Sequence, residues 1–279
     1  MSLKKLLKDG QIICAPGVFD PLSALVAETC GARTLYMSGY GVSASLLGKP
    51  DAGLISYREM VDRVRAICDV TSLPLIADSD TGFGGLANVR QAVQGYESAG
   101  ASAIQLEDQV YPKRCGHTKN RRVIPVEDMV RKIKIAVDSR YSSDFLIVAR
   151  TDARTEHGLD EAMRRSAAYI DAGADILFLE SPESADEMRW VAERFPRTPK
   201  LANMVKGGKT PLMSDRELEK LGYQVVIHPV YLLGAAVAGM RAAVASLVEQ
   251  GVELGEAADL EDLNNLVDFA AVWALDDLD

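Results

Sequence analysis

The chain has 279 residues, 48% of them hydrophobic, which is enough for one large domain with a substantial core. Its formal net charge is −9 and its Lys and Arg are scattered, so neither nucleic acid nor an anionic membrane is expected as a partner. No window of about eighteen uncharged apolar residues is present, so the sequence predicts no transmembrane helix. The four cysteines form no CxxC pair and no signal peptide pattern begins the chain, which predicts reduced thiols and a cytoplasmic protein.

Short apolar runs alternate with amphipathic helical patterns along most of the chain. Each run is nearly continuous in apolar residues, as is typical of strands buried on both faces of a parallel sheet. In chain order the runs lie at 12–17, 34–39, 74–80, 103–109, 145–153, 176–182, 201–205 and 224–229. Eight such strands over about 250 residues predict a (β/α)8 barrel. A doubly wound open sheet is the alternative.

Most of these runs end, on the C-terminal side, in a residue able to do chemistry. In order these are Ser38, Asp78 with Asp80, Glu107, Arg150 with Asp152, Glu180, Asn203 and His228. In a barrel the C-terminal ends of the strands converge on one mouth, where active sites are built. The sequence therefore predicts a site at that mouth.

The composition changes after Gly251. Residues 1–251 form the predicted barrel domain, with no Pro- or Ser-rich linker inside it. Residues 252–279 are acidic but carry apolar residues at helical spacing. Such a helical segment either packs on its own barrel or lies against, and is exchanged with, a neighbouring subunit. The second alternative predicts a homo-oligomer, a dimer or a tetramer.

Asp78 and Asp80 are two residues apart on a strand, so their carboxylates point to the same side. Like charges this close need a positive partner, and oxygen-only ligands suit Mg²⁺, with Mn²⁺ as a second choice. The alternative is that one aspartate caps a helix and the other pairs with Arg150. Glu107 and Asp108 point to opposite faces, so only one of them joins the site, and spacing does not choose between them.

Arg150 and Cys115 are the remaining candidates. A buried Arg150 needs a carboxylate partner, either from a substrate or from the acids above. Cys115 lies in VYPKRCGHTKN (110–120), where nearby cations favour thiolate and make the sulfur a proton carrier or nucleophile. The alternative is a solvated basic loop with an incidental cysteine. A zinc site or a disulfide at Cys115 is disfavoured, since ligand clusters and an oxidising compartment are both missing.

Seven segments resemble the isocitrate lyase/phosphoenolpyruvate mutase superfamily, in order across roughly residues 12–240. They are SGYG (38–41), LGKPD (47–51), DSDTGFG (78–84), LEDQ (106–109), PKRCGH (112–117), ARTDA (149–153) and ANM…GGKTPL (202–212). KRCGH looks like the signature of the carbon–carbon lyase branch, which includes 2-methylisocitrate lyases, 2,3-dimethylmalate lyases and oxaloacetate hydrolases. The resemblance implies a (β/α)8 barrel.

The resemblance also implies residue roles. It assigns Mg²⁺ to Asp78, with Asp51, Asp80 and Glu107 arranged around the ion, partly through water. It makes Cys115 the general acid on a closing loop and Tyr36 the candidate base. It places around a small carboxylate substrate Ser38, Gly39, Tyr40, Gly116, His117, Arg150, Glu180, Asn203 and Pro229.

The implied reaction cleaves a 2-hydroxy di- or tricarboxylate, of the 2-methylisocitrate or 2,3-dimethylmalate type, into a 2-oxo acid such as pyruvate and a carboxylate. Pro229 stands where the superfamily's oxaloacetate hydrolases are expected to have a serine, which disfavours hydrolysis. Oxaloacetate hydrolase or decarboxylase and carboxyphosphonoenolpyruvate phosphonomutase remain alternatives within the superfamily. A different class is a non-catalytic, metal-dependent binder of 2-oxo acids with Cys115 as a redox sensor.

Overall fold

A computed structural model describes residues 2–116, 121–253 and 257–276. It contains eight strands: β1 Ile13–Val18, β2 Leu35–Met37, β3 Leu75–Asp78, β4 Ala103–Glu107, β5 Leu146–Thr151, β6 Ile176–Leu179, β7 Leu201–Asn203 and β8 Val225–His228. All pair in parallel, in the order β6-β5-β4-β3-β2-β1-β8-β7. A parallel bridge between Leu177 and Lys200 joins the two outer strands, so the barrel is nearly closed. The predicted (β/α)8 fold is confirmed, and the open sheet is ruled out.

Helices follow every strand. They are α1 Leu3–Lys8, α2 Pro21–Thr29, α3 Gly39–Val42, α4 Tyr57–Cys68, α5 Leu86–Ser98, α6 Val126–Ser139, α7 Ala153–His157, α8 Leu159–Asp171, α9 Ala185–Arg194, α10 Asp215–Leu221, α11 Tyr231–Gln250, α12 Leu260–Leu266 and α13 Phe269–Asp276, with a π-helix at Ser43–Leu47. The sequence Ala-Gly-Ala occurs at 99–101 and at 172–174, directly after the ends of α5 and α8. Gly100 and Gly173 have φ of +103° and +104° there, a conformation that glycine adopts without steric cost.

Two layers of apolar side chains hold the barrel together. One face of each strand points to the interior, where Tyr36, Ile76, Val148 and Phe178 pack in one cluster. Leu3 of α1 belongs to the same cluster. The opposite strand faces pack against the surrounding helices. Both strand faces are therefore buried, which is why the strands read as continuous apolar runs.

The last three helices are largely exposed. Ser246 is the one buried residue of α11, and α12 and α13 have none. By length and composition α11 could cross a membrane, so excluding every such helix from sequence was too strong. One such helix is weak evidence, since core helices share these properties. Gly251 ends α11 with φ of +69°, and the division at residue 251 stays a prediction.

Asp108, the neighbour of Glu107, lies on the outer face of the barrel. Its carboxylate accepts hydrogen bonds from Thr151 Oγ1 at 2.8 Å, Tyr169 Oη at 2.7 Å and Arg165 Nη1 at 3.2 Å. It also accepts one from the backbone N–H of Asp152 at 2.8 Å. Asp108 therefore ties β4 and β5 to α8 and has no role at the barrel mouth.

We expect Asp108→Ala to lower the free energy of unfolding by about 3 kcal/mol, because it removes the carboxylate that accepts hydrogen bonds from the buried side chains of Thr151, Tyr169 and Arg165. Chemical denaturation of the variant and the parent measures this difference. Asp138→Ala, at an exposed position of α6, is the control and should stay within about 0.5 kcal/mol of the parent. Equal effects of the two substitutions would contradict the structural role of Asp108.

Candidate active site

A cavity of about 430 Å³ opens at the C-terminal ends of the strands. Most of the predicted site residues line it: Tyr36, Ser38, Tyr40, Asp51, Asp78, Cys115, Gly116, Arg150, Glu180, Asn203 and Pro229. They come from separate strand ends and loops, so the barrel mouth brings them together as expected. Gly39, Asp80 and Glu107 lie directly behind this lining, and His117 falls outside the described residues.

The four predicted metal ligands form a buried acidic cluster around one lysine. Lys113 Nζ lies 2.6 Å from Asp51 Oδ1 and 2.7 Å from Asp80 Oδ1, and its side chain is 2% exposed. Sequence analysis had treated Lys113 only as a cation of the Cys115 loop. The alternative in which one of the two aspartates pairs with Arg150 is wrong for Asp80, whose partner is Lys113.

Asp78 is oriented by hydrogen bonds. Its Oδ1 accepts from Gln105 Nε2 at 3.1 Å and from the backbone N–H of Asp80 at 3.0 Å. Tyr36 Oη in turn donates to Gln105 Oε1 at 2.9 Å. Gln105 was missed from sequence, although it lies two residues before Glu107 on the same strand and therefore on the same face.

Burial and mutual repulsion shift the pKa values in the cluster. Burial, with the charges of Asp78 and Asp51, raises the pKa of Asp80 to about 7 although Lys113 opposes the shift. Burial also raises the pKa of Glu107 well above its ordinary value. Burial alone would lower the pKa of Lys113, but the surrounding carboxylates raise it well above its ordinary value. Lys113 is therefore charged, but its single positive charge does not balance the negative charge of the surrounding carboxylates.

The residues present suit a divalent cation. Lys113 meets Asp51 and Asp80, and Arg150 lies 3.3 Å from Glu107 Oε2. Glu107 Oε1 is buried with no hydrogen-bond partner among the described residues. A buried carboxylate oxygen without a partner costs free energy unless a cation or water meets it. The donors are all oxygens, which is the ligand set of hard cations.

Arg150 is held by acids of the protein itself. Its Nε and Nη2 donate to the two carboxylate oxygens of Asp152, each at 2.9 Å. Its guanidinium also lies 3.3 Å from Glu107 and 3.5 Å from Glu180. Arg121 forms an ion pair with Asp152 from the other side. The sequence left two kinds of partner open for Arg150, a substrate carboxylate or acids of the protein. In the structure its partners are acids of the protein, and these fix the plane of the guanidinium group at the cavity wall.

Cys115 and Gly116 form the edge of the cavity above Arg150. A Cβ on Gly116 would lie 2.3 Å from Arg150 Nη2, so only glycine allows this approach. Ser181 Oγ donates to Gly116 O at 3.2 Å. Gln109 holds the preceding residue, since its side chain bonds both the N–H and the carbonyl of Arg114, at 3.0 and 2.8 Å. Cys115 is half-buried beside this anchored backbone.

Four further residues that the sequence singled out are Ser38, Gly39, Tyr36 and His228. Ser38 caps α3 by accepting from the N–H of Gly41 at 3.1 Å, and a Cβ on Gly39 would meet Asp78 Oδ2 at 2.7 Å. Burial raises the pKa of Tyr36 well above its usual value, followed by the charge of Asp78, so the phenol keeps its proton. His228 does not join the mouth: it lies outside the barrel beside Cys14 and Asp215.

The lining of the cavity has a charged part and an apolar part. The charged part, called the polar floor below, consists of Asp51, Asp78, Arg150 and Glu180. The apolar part, called the apolar wall below, consists of Val205, Ile227, Pro229, Val230, Leu233 and Val237. Most of this wall was not predicted from the sequence, because Leu233 and Val237 belong to α11, outside the apolar strand runs.

The fold is that of a (β/α)8 barrel, and the predicted site residues gather at its C-terminal mouth, as in barrel enzymes. The family described as phosphoenolpyruvate phosphomutase matches residues 3–248, and the chain belongs to the PEP mutase/isocitrate lyase superfamily. The chain is 50% identical over 238 residues to 2,3-dimethylmalate lyase of Eubacterium barkeri, covering 85% of this chain and 82% of the relative. It is 43% identical over 251 residues to 2-methylisocitrate lyase of Aeropyrum pernix, covering 90% and 80%.

Among solved structures, oxaloacetate acetylhydrolase with the inhibitor 3,3-difluorooxalacetate superimposes with a TM-score of 0.95 at 33% identity, covering 99% of this chain and 95% of the other. The superfamily is metal-dependent. The relatives named as lyases identify this chain as a carbon–carbon lyase.

Proposed function

We propose that the protein is a Mg²⁺-dependent lyase that cleaves an alkyl-substituted 2-hydroxy di- or tricarboxylate into a 2-oxo acid, such as pyruvate, and a second carboxylate. The observation that carries this proposal is the cavity itself, which joins a floor of acids and Arg150 to an apolar wall. The floor suits a metal and carboxylates, and the wall suits a methyl or larger alkyl group. The similarity to a 2,3-dimethylmalate lyase and a 2-methylisocitrate lyase supports this reading. Such chemistry is expected in the cytoplasm.

In this proposal Asp78 holds Mg²⁺, with Asp51, Asp80 and Glu107 around it, and Mn²⁺ is the second choice. When bound, the cation polarises the oxygens of the substrate and lowers the pKa of its hydroxyl group. Arg150, already oriented by Asp152, binds a substrate carboxylate. The other binding groups are Ser38, Gly39, Tyr40, Gly116, His117, Glu180, Asn203 and Pro229.

Two side chains of the protein move protons. A base takes the proton of the 2-hydroxyl group, the C2–C3 bond breaks, and its electrons pass into the departing carboxylate fragment. Cys115 then protonates that fragment at carbon, while the closed loop keeps water away. Tyr36 is the candidate base and would act as the phenolate. Burial and the charge of Asp78 raise its pKa, so it would release its own proton to solvent only if a cation held by Asp78 offset the charge of that carboxylate.

Oxaloacetate hydrolysis is the second candidate, favoured by the similarity to oxaloacetate acetylhydrolase. Pro229 argues against it, because it lines the cavity without a hydroxyl to meet a hydrated ketone. An unpaired hydroxyl in a closed site costs about 1–3 kcal/mol. Decarboxylation, phosphonomutase activity and binding without turnover are further outcomes of the assay below.

We expect faster turnover of a 2-methylisocitrate or a 2,3-dimethylmalate than of oxaloacetate, by roughly ten- to a hundredfold, if the lost hydroxyl contact is felt in the transition state. A panel with methylisocitrate, dialkylmalates, oxaloacetate, phosphonopyruvate and carboxyphosphonoenolpyruvate, followed by product detection, measures kcat/KM for each. Pro229→Ser should narrow the gap. A parent enzyme that prefers oxaloacetate, or one that only binds, would overturn the lyase proposal.

The metal prediction follows from the raised pKa of Asp80. Mg²⁺ requires the carboxylate, which is protonated below about pH 7, so Mg²⁺ affinity should be about tenfold lower at pH 6 than at pH 8. Calorimetric titration with Mg²⁺ at both pH values measures this. Asp78→Ala should abolish binding, while the exposed Asp138→Ala should not. Full activity in excess chelator would refute the metal role.

The proton-transfer prediction concerns Cys115→Ser. Because a hydroxyl is a far weaker acid than a thiol, kcat should fall at least ~10²-fold. Binding of a 2-oxo acid together with Mg²⁺ should survive, since the acidic cluster is untouched. Cys30→Ser, at an exposed cysteine of another surface, is the matched control. Near-normal turnover in Cys115→Ser would reject the acid role.

We also propose that α11, α12 and α13 pack against a second copy of the chain, so that the enzyme is a dimer or tetramer. Apolar side chains crowd these helices at high exposure: Met240, Val244, Val248, Leu260, Phe269 and Trp273. Helices that expose this many large apolar side chains are typical of an interface.

Deletion of residues 252–279 should lower the number of subunits in the assembly, calculated from its molar mass in solution, because the deletion removes part of that surface. Val248→Asp, at a side chain that is 79% exposed, should act in the same direction. Light scattering measures both. Tyr141→Asp, at an exposed apolar residue away from these helices, is the control. A monomeric parent, or an unchanged mass in both variants, would contradict the proposal.

A further inference from the structure

A second cluster of metal-binding side chains lies outside the active site. Cys14 of β1, Asp215 of α10 and His228 of β8 each offer one ligand atom, and these atoms lie within 4.8 Å of one another. The three residues come from distant parts of the sequence, and none of them lines the active-site cavity. Asp215 and His228 are half-buried and Cys14 is exposed, so an ion can reach them.

The fold holds these three side chains in place. Strands β1 and β8 pair directly, with Cys14 opposite Val226 and Pro16 opposite His228, so the thiol and the imidazole project from neighbouring strands to the same outer face.

Helix α10 is fixed as well. Ser214 caps it in a reciprocal capping box with Glu217, immediately before Asp215. The helix is tied to β1, because the N–H of Ile12 donates to Glu219 Oε1 at 3.0 Å. The ligand positions are thus set by strand pairing and by helix anchoring, as a preformed site requires.

We propose that Cys14, Asp215 and His228 bind one Zn²⁺ ion on the outer wall of the barrel, with the fourth position left to water. Zn²⁺ accepts thiolate, imidazole and carboxylate ligands at about 2.0–2.3 Å, which places ligand atoms roughly 3.5 Å apart. Small side-chain rotations bring atoms within 4.8 Å to that spacing. A thiolate and a carboxylate neutralise the ion, and the thiol proton is released to solvent as the metal–sulfur bond forms.

This site is chemically distinct from the acidic cluster at the barrel mouth. The mouth offers carboxylate oxygens, which suit a hard cation such as Mg²⁺. A thiolate with an imidazole selects a borderline ion instead.

The position of the site gives it a structural consequence. His228 immediately precedes Pro229, which lines the active-site cavity, and Val230 follows at the start of α11. Gly17 packs against this corner so tightly that a Cβ there would lie 2.4 Å from Pro229 O. Zn²⁺ at His228 therefore fixes the turn between β8 and α11 from outside.

Zinc titration of the full-length protein tests this inference. The protein is stripped with chelator, returned to excess Mg²⁺ and titrated with Zn²⁺ by calorimetry. We expect one tightly bound zinc ion per chain under these conditions. Co²⁺ in place of Zn²⁺ should give a thiolate-to-metal charge-transfer band and the absorption of a tetrahedral site. Cys14→Ser, Asp215→Asn and His228→Gln should each weaken Zn²⁺ binding at least about 100-fold, since the loss of outer-shell partners alone costs 10- to 100-fold.

Two cysteine variants serve as controls. Cys30→Ser, in the same outer groove, and Cys115→Ser, at the active site, should keep both the zinc affinity and the cobalt band. Thermal unfolding in chelator shows which variants are folded, and any one of the three ligand variants that folds normally decides the test. The inference fails if folded ligand variants bind Zn²⁺ like the parent, or if Cys115→Ser removes the thiolate band.

Discussion

Four buried carboxylates at one end of the barrel are the constraint on which the rest of the site depends. Their mutual repulsion would prevent burial without positive charge, and Lys113 supplies it from the loop after β4, within 2.7 Å of Asp51 and Asp80. The same ion pairs hold that loop down on the barrel. Cys115 follows Lys113 by two residues. The ion pairs between Lys113 and the acids therefore also place Cys115 at the edge of the cavity.

The barrel could be predicted because its strands are buried on both faces. The apolar run at 145–153 contains β5, Leu146–Thr151, and the other runs contain their strands too, except that β1 extends one residue beyond the run at 12–17. The pairing of Lys113 with Asp80 could not be predicted from sequence, because the two residues are 33 positions apart. In the sequence Lys113 also does not differ from the other Lys and Arg residues of its loop. The outward position of His228 could not be predicted from sequence either, because both faces of β8 are apolar and only the structure shows that the adjacent Ile227 faces the interior.

Strand β8 and the turn after it connect three different environments. Ile227 contributes to the barrel interior and to the cavity wall, His228 to the outer cluster with Cys14, and Pro229 to the mouth. A change on the outer face of β8 can affect the cavity only by moving the backbone. The pairing with β1 and the close packing of Gly17 hold that backbone in place. The proposed zinc site thus acts on the active site as a support and does not take part in its chemistry.

Helix α11 lines the active-site cavity with its first turns and carries part of the proposed subunit interface on its later turns. Its first turns supply Val230, Leu233 and Val237 to the apolar wall, while its later turns carry Met240, Val244 and Val248 at high exposure. Leu232, Leu233 and Ala236 of the first turns pack against the core, whereas in the later turns Ser246 is the one buried residue. In the proposed oligomer a second copy covers those later turns and thereby fixes the wall that distinguishes an alkyl substituent from hydrogen. The polar floor needs no such help, because Arg150 and Lys113 are already locked by acids within the barrel. Assembly therefore bears on which substrate is accepted more than on how the metal and carboxylates are held.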